Sequence, residues 1–442
     1  MARKAIFWMR RDLRLHDNHG LYEALTSGYE VVPIFIFDRE ILDVLPEQDA
    51  RVTFIHDELA DIKNELTSLG SDLRVYYGRP MDLWPSILSE YDDLDAVYTN
   101  HDYEPYATSR DEAIGKMLAE SGIGWHTFQD HVLFERDDIQ KNGGGVYTVF
   151  TPYKRKWLAH WESTYAHAQL NENGSLYPSE DHQGSYAKLE GMPMISLEAM
   201  SFGRSEISIP SRTVAQGVIR NYAEKRNFPG LENGTSKLGI HFRFGTISIR
   251  AKAYKAAKLS DTYLSELIWR DFYSQILSNF PKVVTESFKP KYDNIPWRDA
   301  SEDLDKWKTG QTGYPIVDAG MRQLNETGWM HNRVRMITAS FFTKHLLLDW
   351  RLGEAYFAEK LLDFELASNN GGWQWASGSG TDAAPYFRIF NPTSQLEKFD
   401  KQKTYVKRWV PEFGTPKYTS PMVDHKFARE RCLETYKGAL AN

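Results

Sequence analysis

Short apolar runs of strand length punctuate the first third of the chain, at 5–9, 31–37, 73–77, 96–99 and 125–128. Between them, apolar positions recur with helical period over about 50–69, 80–90 and 107–121. Strand and helix in alternation predict a five-stranded parallel, Rossmann-like sheet joined by right-handed crossovers. Such a sheet can bind small ligands beyond the carboxyl ends of its strands. No glycine-rich dinucleotide fingerprint follows Met9, however; the chain there reads Arg10-Arg11-Asp12-Leu13-Arg14. Residues 131–200 lose this regularity. Gly143-Gly144-Gly145 and the Asn-, Gly-, Ser- and Pro-rich stretch 171–194 read as interdomain linker. From about residue 200 helical periodicity takes over, predicting helices at 211–225, 260–278, Pro315–Thr327, 331–348 and 353–366. The expected division is an α/β domain over 1–130, a linker over 131–200 and a larger all-α domain over 201–442.

One cysteine in 442 residues, Cys432, excludes an intramolecular disulfide framework and fits a reducing, cytoplasmic setting. No apolar run approaches the ~18 residues of a membrane span, and no secretory h-region opens the sequence. The net charge of −7 argues on its face against a polyanionic partner. That charge is divided, though. Residues 1–130 carry 12 Lys and Arg against 25 Asp and Glu, a net of −13; the remainder carries 41 against 35, a net of +6. Eight of the 13 tryptophans lie at or beyond Trp269. An acidic front and a basic, tryptophan-rich back imply two domains with different tasks. There is no H-E-x-x-H, no P-loop and no G-x-S-x-G elbow, and one cysteine cannot build a zinc site of the usual kind. Gly378 to Ala383 matches G-x-G-x-x-A but follows no strand, so the dinucleotide reading fails there.

Candidate chemistry concentrates in the back half. On the 260–278 helix, Glu266, Trp269, Arg270 and Tyr273 fall at i, i+3, i+4 and i+7 and share one face. Periodicity alone accounts for them as an amphipathic helix with Trp269 at the core edge. An aromatic plane beside a carboxylate also suits a nucleobase, which stacks by its face and is read at its N–H edge. Asn332, Arg335 and Met336 likewise share a face, equally readable as a solvated basic surface. In 363–375, Asn369-Asn370-Gly371-Gly372 is expected to stop a helix, and its glycines permit close approach of a flat ligand. The loop Asn233-Gly234-Thr235-Ser236-Lys237-Leu238-Gly239 offers hydroxyls, backbone N–H groups and a lysine, a weak phosphate signal. Residues 388–408 carry a net +4 interleaved with aromatics, compatible with a solvated surface or with nucleic acid.

The longer runs are more specific. Phe7 to Asn18, Thr312 to Arg322, Gly328 to Met336, Asn369 to Trp375 and Thr381 to Pro392 together resemble the photolyase/cryptochrome family along nearly the whole chain. The resemblance implies an α/β antenna domain in front. Behind it, an all-helical domain would hold FAD non-covalently and use it fully reduced. Within the family the chain is similar to the cyclobutane pyrimidine dimer (CPD) photolyases, DNA-repairing carbon–carbon lyases, on the pairs Asn332 with Met336 and Trp269 with Trp375. The (6-4) photolyases, typically with histidine at the position of Asn332, and blue-light-sensing cryptochromes without repair activity are the alternatives.

Carried over position by position, the resemblance implies FAD contacts at Tyr222, Thr235, Ser236, Lys237, Leu238, Gly239, Tyr263, Phe364 and Glu365. Arg335 would pair with Asp363 beside the flavin ring, and Asn369 would face its N5. Glu266, Asn332 and Met336 would touch the flipped dimer, with Trp269 and Trp375 as its apolar wall; with Asn369 these form the implied catalytic set. Arg226, Arg270, Tyr273, Arg333 and Gln395 would join Glu266, Trp269 and Asn332 in meeting the DNA. Trp373, Trp350 and Trp297 match a chain carrying electrons between flavin and surface. Glu365 stands where Asp is usual, Lys237 where Arg is commoner and Gly239 where Ser is expected. Asn100 to Tyr106 resembles an antenna-domain signature shared by methenyltetrahydrofolate and 8-hydroxy-5-deazaflavin binders. The implied partner is UV-damaged DNA. No metal, membrane or obligate protein partner is expected, and the protein is expected to be a monomer.

Overall fold

The computed structural model describes residues 3–441 except 166 and 173. Strands β1 (Lys4–Met9), β2 (Glu30–Asp38), β3 (Arg74–Gly78), β4 (Leu94–Asn100) and β5 (Gly124–Phe128) form one parallel sheet in the order β3-β2-β1-β4-β5. Helices α1 (His19–Thr26), α2 (Ala50–Ser68), α3 (Pro80–Ser89) and α4 (Pro105–Glu120) connect them. Ile6, Trp8, Val32, Ile34 and Val97 from the central strands are buried with Trp84, Ile87, Ile114 and Leu118 from α3 and α4. Helices against a parallel sheet explain why its strands read as continuous apolar runs. The strand order reverses at β1 and β4. Beyond their carboxyl ends lies a crevice lined by Arg10, Arg11, Asn100, His101, Asp102 and His131.

Much of the amino-terminal signature is structural. Asp12 accepts from the amides of Asn100 (2.6 Å) and Asn18 (3.2 Å). Arg14 and Arg250 both donate to Asp130 at 2.7 Å, and Arg250 also donates to Asp17 at 3.1 Å. All four of those charges are buried, so each neutralises another that would otherwise be costly to desolvate.

The helical part comprises α5 (Phe150–Thr164), α6 (Ile249–Leu259), α7 (Asp261–Asn279), α8 (Ser301–Lys308), α9 (Pro315–Thr327), α10 (Asn332–Ser340), α11 (Trp350–Lys360), α12 (Leu366–Ser377), α13 (Pro392–Phe399), α14 (Thr404–Trp409) and α15 (His425–Ala441). The predicted helices at 260–278 and Pro315–Thr327 are α7 and α9. The others differ. The 211–225 stretch is two short helices, Gln216–Arg220 and Tyr222–Lys225, parted at Asn221, whose amide donates back to the Gly217 carbonyl at 2.9 Å. The 331–348 stretch is helical only to Ser340, then opens into a π turn over Phe341–His345, with Leu347 at φ +55°. The 353–366 helix begins earlier, at Trp350, because Asp349 caps it by accepting from the Arg351 N–H at 3.1 Å; it ends at Lys360.

The largest correction concerns Asn369-Asn370-Gly371-Gly372. It does not stop a helix; it lies inside α12, which runs to Ser377 and ends at Gly378 with φ +94°. A Cβ on Gly371 would lie 2.2 Å from the Tyr273 ring, so this glycine serves the close approach of α12 to α7.

The chain forms two compact units. One contains the residues up to Asp138, Trp157–Arg212 and Leu238–Lys255; the other contains Ile139–Lys156, Thr213–Lys237 and the residues from Ala256 onward. The stretch 131–200 therefore contributes to both and carries α5. The core of the second unit gathers Trp307, Ile316, Met321, Val334, Ile337, Phe342, Trp350, Phe357 and Trp373.

Candidate functional site

Three helices of the second unit, α7, α10 and α12, present about half of the singled-out side chains. On α7, Glu266, Trp269, Arg270 and Tyr273 are half-buried along one face, while Leu264, Leu267 and Ile268 are buried on the other. Phe150, at the start of α5, stacks flat on Trp269 with ring centres 3.6 Å apart and planes 6° from parallel. Tyr273 tilts against Trp269 at 5.5 Å. Nothing in the sequence pattern pointed to Phe150, which falls in the stretch read as linker.

Glu266 is ion-paired with Arg226. The Arg226 guanidinium lies 5.3 Å over the Tyr222 ring, and Tyr222 meets Tyr263 edge-on at 5.0 Å. The Tyr263 hydroxyl donates to Ser236 Oγ at 3.0 Å, and burial pushes that phenol up to about 12, so it remains a donor. Thr235, Ser236 and Lys237 are half-buried. Lys237 adopts φ +54° and sets its ammonium 5.3 Å over the Trp329 ring. Leu238 and Gly239 fall in the other compact unit, where Leu238 is buried and caps the short helix Gly239–Arg243.

Around α10, Asn332 is exposed and Arg335 and Met336 are half-buried on its face. Arg335 Nη2 spans both Asp363 oxygens at 2.9 and 3.0 Å, and its Nε donates to the Met330 carbonyl at 2.7 Å. Arg333 donates to Asn227 Oδ1 at 2.7 Å and lies 4.4 Å over the Phe399 ring of α13, the helix that carries half-buried Gln395. His331, which the sequence did not single out, caps α10 by accepting from the Arg333 N–H at 3.1 Å. Burial and the neighbouring Arg333, Arg335 and Arg226 push its imidazole down to about 3, which keeps it neutral and able to accept.

On α12 and the turn before it, Glu365 accepts from Arg270 at 2.8 Å and from Ser368 at 3.1 Å. Glu365 is thus ion-paired with Arg270. The Asn369 amide nitrogen donates to the Glu354 carbonyl at 3.0 Å and to Glu354 Oε1 at 2.8 Å. Gly372, three residues on, is exposed, and a Cβ there would meet no atom within 4 Å. Phe364 packs half-buried on the core, and Trp375 is half-buried 6.5 Å from Phe390. Trp373 and Trp350 are fully buried, and neither indole N–H has an acceptor. Trp297 packs partly buried against the same core and meets Tyr436 edge-on at 6.0 Å.

A flat dinucleotide cofactor needs a wall bare enough to approach, donors and a cation for its phosphates, and acceptors for its ring N–H groups. Gly372 supplies bare backbone. Thr235, Ser236 and Lys237 supply hydroxyls and an ammonium, and Asn369 has its amide nitrogen fully used and its oxygen left over. These residues fit FAD. Among the described residues no group of three or more His, Cys, Asp or Glu could hold a metal ion, and no helix is long and apolar enough to cross a membrane.

Known proteins share this chain's domains and fold. The FAD binding domain of DNA photolyase matches residues 263–416, and the DNA photolyase domain matches residues 5–171. The chain is 37% identical to the deoxyribodipyrimidine photo-lyase of Halobacterium salinarum, over 98% of this chain and 99% of that protein. The fold matches a bacterial class III photolyase from Agrobacterium tumefaciens with a TM-score of 0.85 and 33% identity, covering 100% of this chain and 98% of the other. It also matches an archaeal photolyase from Sulfolobus tokodaii, solved with two FAD molecules, with a TM-score of 0.80 and 33% identity over 98% and 100% of the two chains. With both domains matched and the likeness spanning these relatives from end to end, the chain belongs to the DNA photolyase family, and its helical unit carries that family's FAD-binding domain.

Proposed function

We propose that the protein repairs UV-damaged DNA by splitting cyclobutane pyrimidine dimers under blue light. The observation that carries this reading is the half-buried face of α7, where a carboxylate and an indole stand one turn apart beside α12. Extruding the two linked pyrimidines costs a few kcal/mol, less where stacking is already poor. The wall formed by Trp269, backed by Phe150, and by Trp375 offsets part of that cost by covering the dimer's apolar faces. Glu266 accepts from the dimer's N–H edge, and Arg226 beside it balances the charge carried into a water-poor pocket. Asn332 offers an amide where a (6-4) enzyme typically has histidine, and Met336 fills the same face. Arg226, Arg333 and Gln395 meet the DNA backbone, along with Arg270 and Tyr273 at the rim.

When bound, reduced FAD supplies the light-excited electron that opens the two cyclobutane C–C bonds and then takes it back, leaving two intact pyrimidines and no net oxidation. The protein's part is to hold that cofactor. Tyr222, Thr235, Ser236, Lys237 and Tyr263 take its phosphates and ribityl side, and Arg335, Asp363, Phe364, Glu365 and Asn369 take the ring. Trp373, Trp350 and Trp297 form the route by which an oxidised cofactor is re-reduced.

A second, light-harvesting chromophore of methenyltetrahydrofolate or 8-hydroxy-5-deazaflavin type, if one is bound, would lie in the α/β unit. Its candidate place is the crevice at β1 and β4, since Asn100, His101 and Asp102 line it. There burial raises the Asp102 carboxyl, but Arg11 and Arg10 outweigh it and hold the group below the usual carboxylate range.

The test is light-dependent loss of a defined lesion from an oligonucleotide with reduced, FAD-loaded protein. Loss of CPDs and not of (6-4) products is expected, and Glu266→Gln with Trp269→Ala should weaken both lesion affinity and yield. Repair of (6-4) products alone would overturn the substrate assignment. Photoreduction without binding or repair of either lesion would make the protein a sensor.

A further inference from the structure

Glu354 lies on α11 and reaches α12, and neither the resemblance nor any motif assigns it a task. Asn369 turns its amide nitrogen fully towards it: one N–H goes to the Glu354 carbonyl at 3.0 Å and the other to Glu354 Oε1 at 2.8 Å. An amide has two donors at one end and an acceptor at the other. With both donors used, the oxygen is the end left to face outward, three residues from Gly372, where backbone is exposed and a Cβ would meet nothing.

The two bonds differ in kind. The bond to the Glu354 carbonyl comes from the backbone and survives any substitution there. The bond to Oε1 comes from the side chain, and only the two together fix both hydrogens. If one were lost, the amide could turn over and present N–H outward instead. The α11–α12 contact that sets this geometry is tight one residue earlier, where a Cβ on Gly353 would lie 2.1 Å from the Trp373 indole. The glutamate is therefore held at fixed reach from the asparagine. Burial raises its carboxyl, and whether ionised or protonated it keeps an oxygen that accepts.

We propose that Glu354 is a positioning residue that locks the Asn369 amide with its oxygen, not its nitrogen, towards the flavin. This rests on the reading above that Asn369 faces flavin N5. An acceptor at that point favours the form of the ring whose N5 carries hydrogen, the form the repair reaction uses. A donor there would favour the unprotonated, oxidised ring. The lock thus sets how readily the bound cofactor accepts and keeps its electrons.

The experiment replaces Glu354 with Leu and with Gln in the full chain and reads the flavin's midpoint potential by spectroscopic titration, together with bound FAD per protein. Gln offers Asn369 a carbonyl oxygen in the same place and should keep the wild-type potential. Leu removes it; about a tenfold loss of preference for the hydrogen-bearing ring is expected, read as a midpoint roughly 59 mV lower if the loss falls on a one-electron step. If the Leu variant does not fold, Glu354→Ala makes the same deletion without added bulk. Full FAD occupancy with an unchanged potential in the Leu or Ala variant overturns the lock while leaving the repair assignment standing. Equal shifts in Gln and Leu also overturn it, because the glutamate would then act by charge. Wild-type protein that binds no FAD at all would bring down both this inference and the reading beneath it.

Discussion

Gly353 should not accept even a methyl group without loss of stability. It lies in the first turn of α11, and a Cβ built on it would stand 2.1 Å from Cη2, 2.4 Å from Cζ3 and 2.8 Å from Cζ2 of Trp373. Carbon atoms sit best about 3.5–4.0 Å apart, so Gly353→Ala requires the indole or the helix to retreat by roughly 1.4 Å. The indole has nowhere to go. It is 2% exposed and is surrounded by Trp307, Phe342 and Phe357, with ring centres at 6.0, 5.5 and 5.0 Å. Overpacking of this kind costs about 1–3 kcal/mol, and the displacement puts this site towards the upper end. Alanine's better helix propensity returns about 1 kcal/mol, leaving a net loss of roughly 1–2 kcal/mol. Denaturant melts of FAD-free wild type and variant, followed by tryptophan fluorescence, should show a lower midpoint at unchanged slope. A variant as stable as wild type, or more so, would refute the close contact of α11 with Trp373.

The opposite result is expected at Gly372→Ala, where the new methyl group has open space: the FAD-free protein should gain about 0.5–1 kcal/mol, while FAD retention on a desalting column should fall because the methyl occupies the wall the ring approaches. Acid should destabilise the fold in a definable window. His331 and His345 are each held at about 3, mainly by burial, whereas an unfolded histidine binds a proton near 6.5, so between those values the unfolded chain takes up protons that the native one does not. Stability should therefore be complete above pH 6.5 and fall below it by about 1.4 kcal/mol per pH unit per histidine; urea midpoints at pH 7 and 5 check this, and His345→Gln should flatten the slope. Trp373→Phe should leave FAD bound but slow its light-driven reduction from the oxidised state, read as the rate at which flavin absorbance bleaches under blue light with an external thiol.

The central strands β1, β2 and β4 were legible because a strand buried on both faces advertises itself as an apolar run; the half-buried edge strands β3 and β5 fell within a few residues of the shorter runs at 73–77 and 125–128. Helices α7 and α9 were legible for the analogous reason of sustained period. What sequence reasoning missed was set by tertiary contact. Asn369-Asn370-Gly371-Gly372 has the composition of a helix stop, yet Gly371 is there to admit Tyr273, and the cost of two glycines inside α12 is met by packing against α7. The Asp349 cap was visible in principle as an aspartate ahead of an apolar period, and α11 was begun three residues late without it. The shared faces of α7 and α10 followed from spacing alone. Their partners did not, because Arg226 meeting Glu266, Arg270 meeting Glu365 and Phe150 covering Trp269 join residues 40, 95 and more than a hundred positions apart.

The threading of the chain bears on how the protein can be made. The first compact unit closes only when Leu238–Lys255 returns to it. Arg250, in that last segment, is what neutralises Asp17 and shares Asp130 with Arg14. At the ~5–20 residues per second of translation, a nascent chain spends seconds with Asp17 and Asp130 synthesised and their common cation still to come. Amino-terminal fragments ending near residue 130 or 200 are frozen at that stage, and they should be degraded or held by chaperones rather than accumulate as a free α/β module. For the same reason, a gene fusion that exchanges the front of this protein for another α/β domain must carry the later segments with it.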